Sequence, residues 1–260
     1  MVSRALHERY LSRYSKQTSC IPNGTEIREP RGGEHLSTFG LKPGEYVLFL
    51  GRFSPEKNCH MLIDAFAKTD TPLKLVLAGG SSYTDDYATS VRERSDKRIK
   101  VLDWLSGGAL EEVLTNAALF VLPSDLEGSS LALLDAMGAG VCVLASDTPE
   151  NCEVIADAGF SFKRGDVEDL QRMLSLLLSD ERLRRAAGAS AQGPCTPELP
   201  LGKGRLRNRS RLCGIGSGPP TSFKTSSSQQ QDCLIHHFHA SLYSGNGSSR
   251  AVKCRRKGAS

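Results

Sequence analysis

The stretch GRFSPEKN at 51–58 follows an apolar run, YVLFL at 46–50, and sets Arg52 and Lys57 within six residues just after Gly51. A guanidinium holds a pyrophosphate by a forked contact and an ammonium neutralises it as a point charge, so this spacing suits a diphosphate. A second stretch, LAGGSSYTDD at 77–86, puts Gly79 and Gly80 after a strand-like run, where backbone can approach a ligand closely. The third, SDLEGSSLALLDAMGAG at 124–140, ends a loop in Glu127 and Gly128 and opens a helix at Ser129, Ser130 and Leu131, with Asp135 about one turn inside. Free N–H groups at such an opening attract anions. Either serine can cap the helix, which leaves Glu127 and Asp135 to accept hydrogen bonds from sugar hydroxyls. Taken singly, no stretch decides: solvated surface charges, a plain turn and solvent-facing acids satisfy the same patterns.

These residues need a scaffold that gathers loops at one edge. Five short runs unbroken by acidic residues, YVLFL (46–50), KLVLA (74–78), IKVL (99–102), LFVL (119–122) and VCVLA (141–145), alternate with segments of helical spacing such as Leu62, Ile63, Phe66 and Leu110, Val113, Leu114. Strands buried on both faces with helical crossovers predict an α/β fold, a doubly wound parallel sheet, over 44–190. In such a sheet ligands bind beyond the carboxyl ends of the strands. Residues 1–15 read as a short amphipathic helix and 21–25, IPNGT, as a turn. Residues 26–43 are rich in Gly, Pro and charge and read as a linker with little packing of its own. A helix over 167–188 closes the ordered part, and 191–260, with RLRNRSR and SSSQQQ, reads as a disordered basic tail.

The 260 residues are 39% hydrophobic and 24% charged, enough apolar material for one good core. No run reaches the ~18 apolar residues of a membrane span and no apolar signal core opens the chain, so a soluble, cytoplasmic protein without a membrane span is expected. Net charge is +4, but 191–260 holds 11 Lys/Arg against two acids, so the basic balance belongs to the tail. Charge alone is a weak sign of nucleic-acid binding, and none is expected; HHFH at 236–239 is a weak sign of metal. The eight cysteines form no CxxC pair and no zinc-ligand spacing and read as free thiols. No GxGxxG and no Walker lysine loop follows any strand, which argues against an NAD-dependent or P-loop enzyme.

In their order along the chain, GRFSPEKNCHMLIDAF, LAGGSSYTDDY, VLDWLSGGALEEVLTNAALFVLPS, DLEGSSLALLDAMGAGVCVLASDTPENCEVI and DAGFSFKRGDVEDL closely resemble the C-terminal, donor-binding domain of glycosyltransferase family 4 (glycosyl transferases group 1), retaining enzymes of GT-B architecture. The resemblance covers nearly everything from 44 to 180. It implies that Arg52 and Lys57 bind the donor diphosphate, that backbone around Trp104 and Leu105 contacts the nucleobase, and that amides at Ser129 to Leu131 hold a phosphate. Of the family's two glutamates separated by seven residues, Glu127 fills the first place, near the donor sugar. Asp135 fills the second, on the ribose, with a side chain one methylene, about 1.5 Å, shorter. Asp103 stands where the family usually has glycine and is expected to crowd the base pocket.

The resemblance implies a metal-independent hexosyltransferase that moves a sugar with retention from a nucleotide-diphosphate donor to an unknown acceptor. Arg52, Lys57 and Glu127 are then its catalytic residues, the sugar nucleotide is a substrate, and no cofactor or metal is expected. Residues 1–25 resemble only the last helix and hinge of the family's N-terminal, acceptor-binding domain, so a fragment is expected, with the other half supplied by a second chain if at all. The rival expectation is a nucleotide-sugar-binding module without turnover.

Overall fold

A computed structural model describes residues 1–81 and 85–192. The tail from 193 onward with its HHFH tract, and 82–84 of the second loop, lie outside the described residues. All five apolar runs form strands: β1 (Tyr46–Arg52), β2 (Lys74–Gly80), β3 (Ile99–Leu102), β4 (Leu119–Leu122) and β5 (Val143–Ser146). A sixth, β6 (Phe160–Phe162), was not expected, because FSF is too short to stand out as a run. Every pairing is parallel and the order is β3-β2-β1-β4-β5-β6. β4 is buried along its whole length, as is β1 from Tyr46 to Phe49, which is why both read as unbroken apolar runs. Tyr46 keeps its hydroxyl in this core by donating to the Val113 carbonyl at 2.6 Å.

The strand order runs outward in one direction from β1 to β3 and in the other from β4 to β6, which makes the crevice between β1 and β4 the switch point of the sheet. The helices between strands are α3 (Cys59–Ala67), α4 (Asp85–Glu93), α5 (Gly107–Thr115), α6 (Leu131–Gly138) and α7 (Pro149–Ile155). The expected closing helix is two helices, α8 (Val167–Ser179) and α9 (Glu181–Ala191). Asp180 breaks them: its backbone is extended and its carboxylate accepts from the Leu183 N–H at 2.9 Å, capping α9. α8 buries Leu170, Met173, Leu174 and Leu177, one stripe at helical spacing, and packs on α3, whereas α9 packs on α6. Gln192, two residues past the expected boundary, is still engaged with the domain: its amide donates to Gly138 O at 3.1 Å and Arg28 O at 3.3 Å.

The N-terminal helix is present as α1 (Arg4–Tyr14) and packs on α7. The Glu153 carboxylate of α7 accepts from the Arg4 N–H at 2.9 Å and the Ala5 N–H at 3.3 Å, meeting donors that a helix start leaves unpaired. The expectation of little packing at 26–43 does not hold. It contains α2 (Glu34–Thr38), whose first-turn amides at His35 and Leu36 donate to Glu112 at 3.1 and 2.7 Å and whose Leu36 is buried. Cys20, Cys59 and Cys142 are free thiols as expected, but Cys152 is disulfide-bonded. Among the described residues no helix is long and apolar enough to cross a membrane.

Candidate functional site

Lys57 stands on a 3-10 turn, Pro55–Lys57, just after β1. Asn58 ends the turn in the left-handed region, φ 51°, which asparagine tolerates better than most residues, and donates its amide to the Pro123 carbonyl at 3.1 Å. The Asp125 N–H donates to Glu56 O at 2.8 Å. These bonds tie the loop after β1 to the loop after β4, across the switch point. There the Lys57 ammonium donates to Glu127 at 2.6 Å, with the two side chains only 13% and 8% exposed. Arg52, at the end of β1, is half exposed and lies 3.9 Å from Glu56. The Ser54 hydroxyl donates to the Glu56 carboxylate at 2.6 Å, and this bond first, with Arg52 and Lys57 nearby, holds its pKa below the usual carboxylate value. Cys59 behind the loop is the opposite case. Burial pushes its thiol up to about 12, so it stays neutral and is no nucleophile.

On the other side of Arg52 the ends of β1 and β2 come very close. A Cβ on Gly79 would lie 1.8 Å from the Gly51 carbonyl oxygen, so only glycine fits there. Arg52 stands opposite Gly80 in the ladder. Trp104, after β3, rests on Gly80 and is 48% exposed, while Leu105 packs against the core. Asp103, expected to crowd the base pocket, is exposed and paired at 3.0 Å with Arg92 of α4.

Ser130 caps α6, its hydroxyl accepting from the Leu133 N–H at 3.3 Å, so the earlier amides of the turn have no side-chain partner of their own cap. The first turns of α3, α5 and α6 carry no acid, whereas α7, α8 and α9 start with acids in theirs. The starts of α3, α5 and α6 thus keep their partial positive charge, whereas α4, after β2, opens on Asp85 and Asp86. Gly128 lies beneath α1, with Leu6 and Val2 within 4 Å of where a Cβ would stand. Among the described residues no three His, Cys, Asp or Glu side chains converge as metal ligands do.

A cationic mouth at the switch point of a six-stranded parallel sheet has counterparts in known proteins. The family model for glycosyl transferases group 1 matches residues 38–193, more than half of the chain. The chain belongs to that family. It is 31% identical to the O-antigen chain mannosyltransferase B of Escherichia coli over 160 residues, 59% of this chain and 42% of that protein. It is 32% identical to the alpha-maltose-1-phosphate synthase of Mycobacterium tuberculosis over 202 residues, 72% of this chain and 51% of that protein. The chain therefore spans about half the length of the curated relatives it matches. Its fold is the Rossmann-like half of the GT-B architecture, as the solved structures it superposes on show. The solved structure of Anabaena Alr3699/HepE in complex with UDP and glucose superposes with a TM-score of 0.67 at 20% identity, over 74% of this chain and 56% of that one. Sucrose-phosphate synthase from Thermosynechococcus elongatus gives 0.62 at 24% identity, over 74% and 51%.

Within this glycosyl transferases group 1 domain, the site residues expected from sequence divide into two groups. Arg52, Lys57, Glu127 and the glycines at the ends of β1 and β2 meet at one mouth. Asp135 is not open to a ligand: it is 8% exposed and its carboxylate accepts from the Thr25 hydroxyl at 2.9 Å and from Arg28 at 3.3 Å. The Arg28 N–H also donates to Gly138 O at 2.9 Å, so residues 25–28 form a strap across α6. Thr25 and Arg28 escaped the sequence reading because they lie in what looked like hinge and linker, and no local pattern marks them. Asn58 and Glu56 were missed too, although the stretch GRFSPEKN that contains them had been singled out for Arg52 and Lys57.

Proposed function

We propose that this domain binds a nucleotide-diphosphate sugar and is the donor half of a hexosyltransferase that moves the sugar to an acceptor with retention at the anomeric carbon. The observation that carries it is the Lys57–Glu127 pair spanning the switch point between β1 and β4. A leaving diphosphate gains negative charge as the glycosidic bond breaks, and Arg52, Lys57 and the amides of Ser129 to Leu131 stand ready to stabilise it with no metal. Glu127 has two roles in this proposal. It accepts a hydroxyl of the donor sugar, and it holds the Lys57 ammonium over the crevice until phosphate oxygens replace it. Asp135 reaches the ribose only by releasing Thr25 and Arg28. The relatives' names, a mannosyltransferase and a maltose-phosphate synthase, and the UDP and glucose of the Anabaena complex support a sugar-nucleotide substrate. The acceptor, and any second chain that completes the site, lie outside this domain.

The test is calorimetry with nucleoside diphosphates. Charge-assisted contacts contribute about 1.5 to 3 kcal/mol each, so Arg52→Ala and Lys57→Ala should each weaken binding about ten- to a hundredfold. Unchanged affinity in both variants overturns the proposal. A binding module without turnover is the second reading, favoured by the engagement of Asp135 with the strap. Nucleoside diphosphate release on the order of 1 s⁻¹ from the chain, given a panel of sugar nucleotides and a mixed acceptor extract, would exclude it.

A further inference from the structure

Lys57 ends the turn that leads into α3, so whatever fixes the start of α3 also fixes the ammonium. A helix start leaves its first amides unpaired, and the residue before the helix is the usual source of a cap. Asn58 stands in that place but makes no side-chain cap bond, because its amide is turned to the Pro123 carbonyl at 3.1 Å. No acid stands in the first turn either. The cap comes from another helix. The Tyr87 hydroxyl of α4 accepts from the His60 N–H at 3.3 Å and lies 2.9 Å from Nδ1 of the same histidine. The two rings meet edge to face, 5.8 Å between centroids.

Two properties suit this hydroxyl to its place. It is neutral: burial first, and then the Cys59 thiol beside it, pushes its pKa up to about 12. A phenol therefore satisfies an amide without cancelling the positive end of α3, as a carboxylate there would. It is also anchored. One turn along α3 from His60, Asp64 pairs with Arg94 just past the end of α4, so α4 grips α3 at two points, and Ala88 and Val91 between them are buried in the core. We propose that Tyr87 is a positioning residue for Lys57: by capping α3 from α4 it holds the Pro55–Lys57 turn where the ammonium can meet a phosphate. Resting on the diphosphate reading above, it gives α4 a part in the site without any contact to the ligand. When the cap is lost the first turn of α3 frays, and Lys57 is then held only by the bonds of its loop to Pro123 and Asp125. Arg52 is set instead by its place opposite Gly80 in the ladder, which does not depend on α3.

The test is a double-mutant cycle on the full chain, with affinity for inorganic pyrophosphate and UDP read by calorimetry. Tyr87→Phe removes only the oxygen and leaves the ring against His60 and the Arg94–Asp64 pair in place. It should weaken both ligands by the same factor, about three- to tenfold, the size of coupling between residues of one network. In the Lys57→Ala background the same change should cost less than about twofold, because the cation it positions is gone. In the Arg52→Ala background it should cost the full factor, and this contrast separates positioning of Lys57 from a general loss of structure. Hydrogen exchange at the His60 amide should be faster in Tyr87→Phe. Unchanged affinity in Tyr87→Phe, or the same loss in Lys57→Ala as in the wild type, overturns the positioning role and leaves the diphosphate site standing. If pyrophosphate and UDP both fail to bind the wild type, the diphosphate site is refuted and the positioning role falls with it.

Discussion

Glu127 and Asp135 lie on the same segment between β4 and the end of α6, and their chemistry is the same, yet they end in different company. Glu127 meets a cation from the loop after β1, so the contact joins two loops at the carboxyl edge of the sheet. Asp135 meets Thr25 and Arg28, so its contact joins a helix to a strap that runs past it. Both carboxylates are mostly buried and both are satisfied. The first pair sits at the switch point, where open parallel sheets bind ligands, and a phosphate is chemically able to replace the carboxylate as the partner of Lys57. In the second, the cation belongs to the strap, and a ligand that recruits Asp135 must also loosen the N-terminal segment. The shorter aspartate suits the second arrangement, because it keeps its charge close to α6, where the strap crosses.

Breaking the first pair should have the largest effect. Removing one partner of a buried ion pair leaves an uncompensated charge, which costs about 3 to 5 kcal/mol. Lys57→Ala should therefore lower stability in urea denaturation by about that much, in addition to its loss of nucleotide affinity. Lys57→Met combined with Glu127→Leu should recover most of the stability and none of the binding. A loss below about 1 kcal/mol in Lys57→Ala would show that the Asn58 and Glu56 bonds hold the two loops without the pair. Asp135→Ala should have a smaller effect, about 1.5 to 3 kcal/mol for hydrogen bonds to a charged group, with faster proteolysis between residues 15 and 33. Its nucleotide affinity should change less than that of Lys57→Ala. A larger affinity loss than in Lys57→Ala would mean that Asp135 faces the ligand and that the strap contact is secondary.

What was legible in the sequence follows the same division. The sheet was legible because its central strands are buried on both faces, and β1 and β4 are uniform apolar runs. The mouth was legible because each loop follows its strand directly and ligand-binding chemistry clusters there: Arg52 and Lys57 after β1, Glu127 to Leu131 after β4. The contacts of Asp135 were not, since Thr25 and Arg28 are more than a hundred residues away in sequence and in a segment without period. α2 escaped for a similar reason: its five residues are stabilised by the Glu112 carboxylate at its start and by burial of Leu36, neither visible in the local pattern. β6 is three residues long, and the break at Asp180 rests on capping geometry, with the apolar stripe of α8 ending at Leu177 and α9 burying Arg184 and Gly188 instead.

The smallest expected effect tests how the mouth differs from the far end of the sheet. α8 and α9 are capped by the carboxylates of Asp166 and Asp180, but α6 is capped by the hydroxyl of Ser130. Aspartate and serine cap about equally well, so stability alone does not favour the neutral choice. Anion binding does: a carboxylate at this position would occupy the positive end of the helix that a phosphate needs, and would repel it. Ser130→Ala should therefore cost about 1 kcal/mol of stability by stranding the Leu133 amide, with pyrophosphate affinity within about twofold of the wild type, because the amides of Leu131 and Ala132 remain. Ser130→Asp should restore the stability and weaken pyrophosphate about tenfold or more, since two like charges at contact distance near a protein surface repel by more than 1.4 kcal/mol. Ser130→Ala lowers stability and keeps affinity, whereas Ser130→Asp keeps stability and lowers affinity, a separation that a simple loss of packing cannot produce. If Ser130→Asp binds pyrophosphate as well as the wild type does, the opening of α6 takes no phosphate, and Arg52 and Lys57 hold the diphosphate alone.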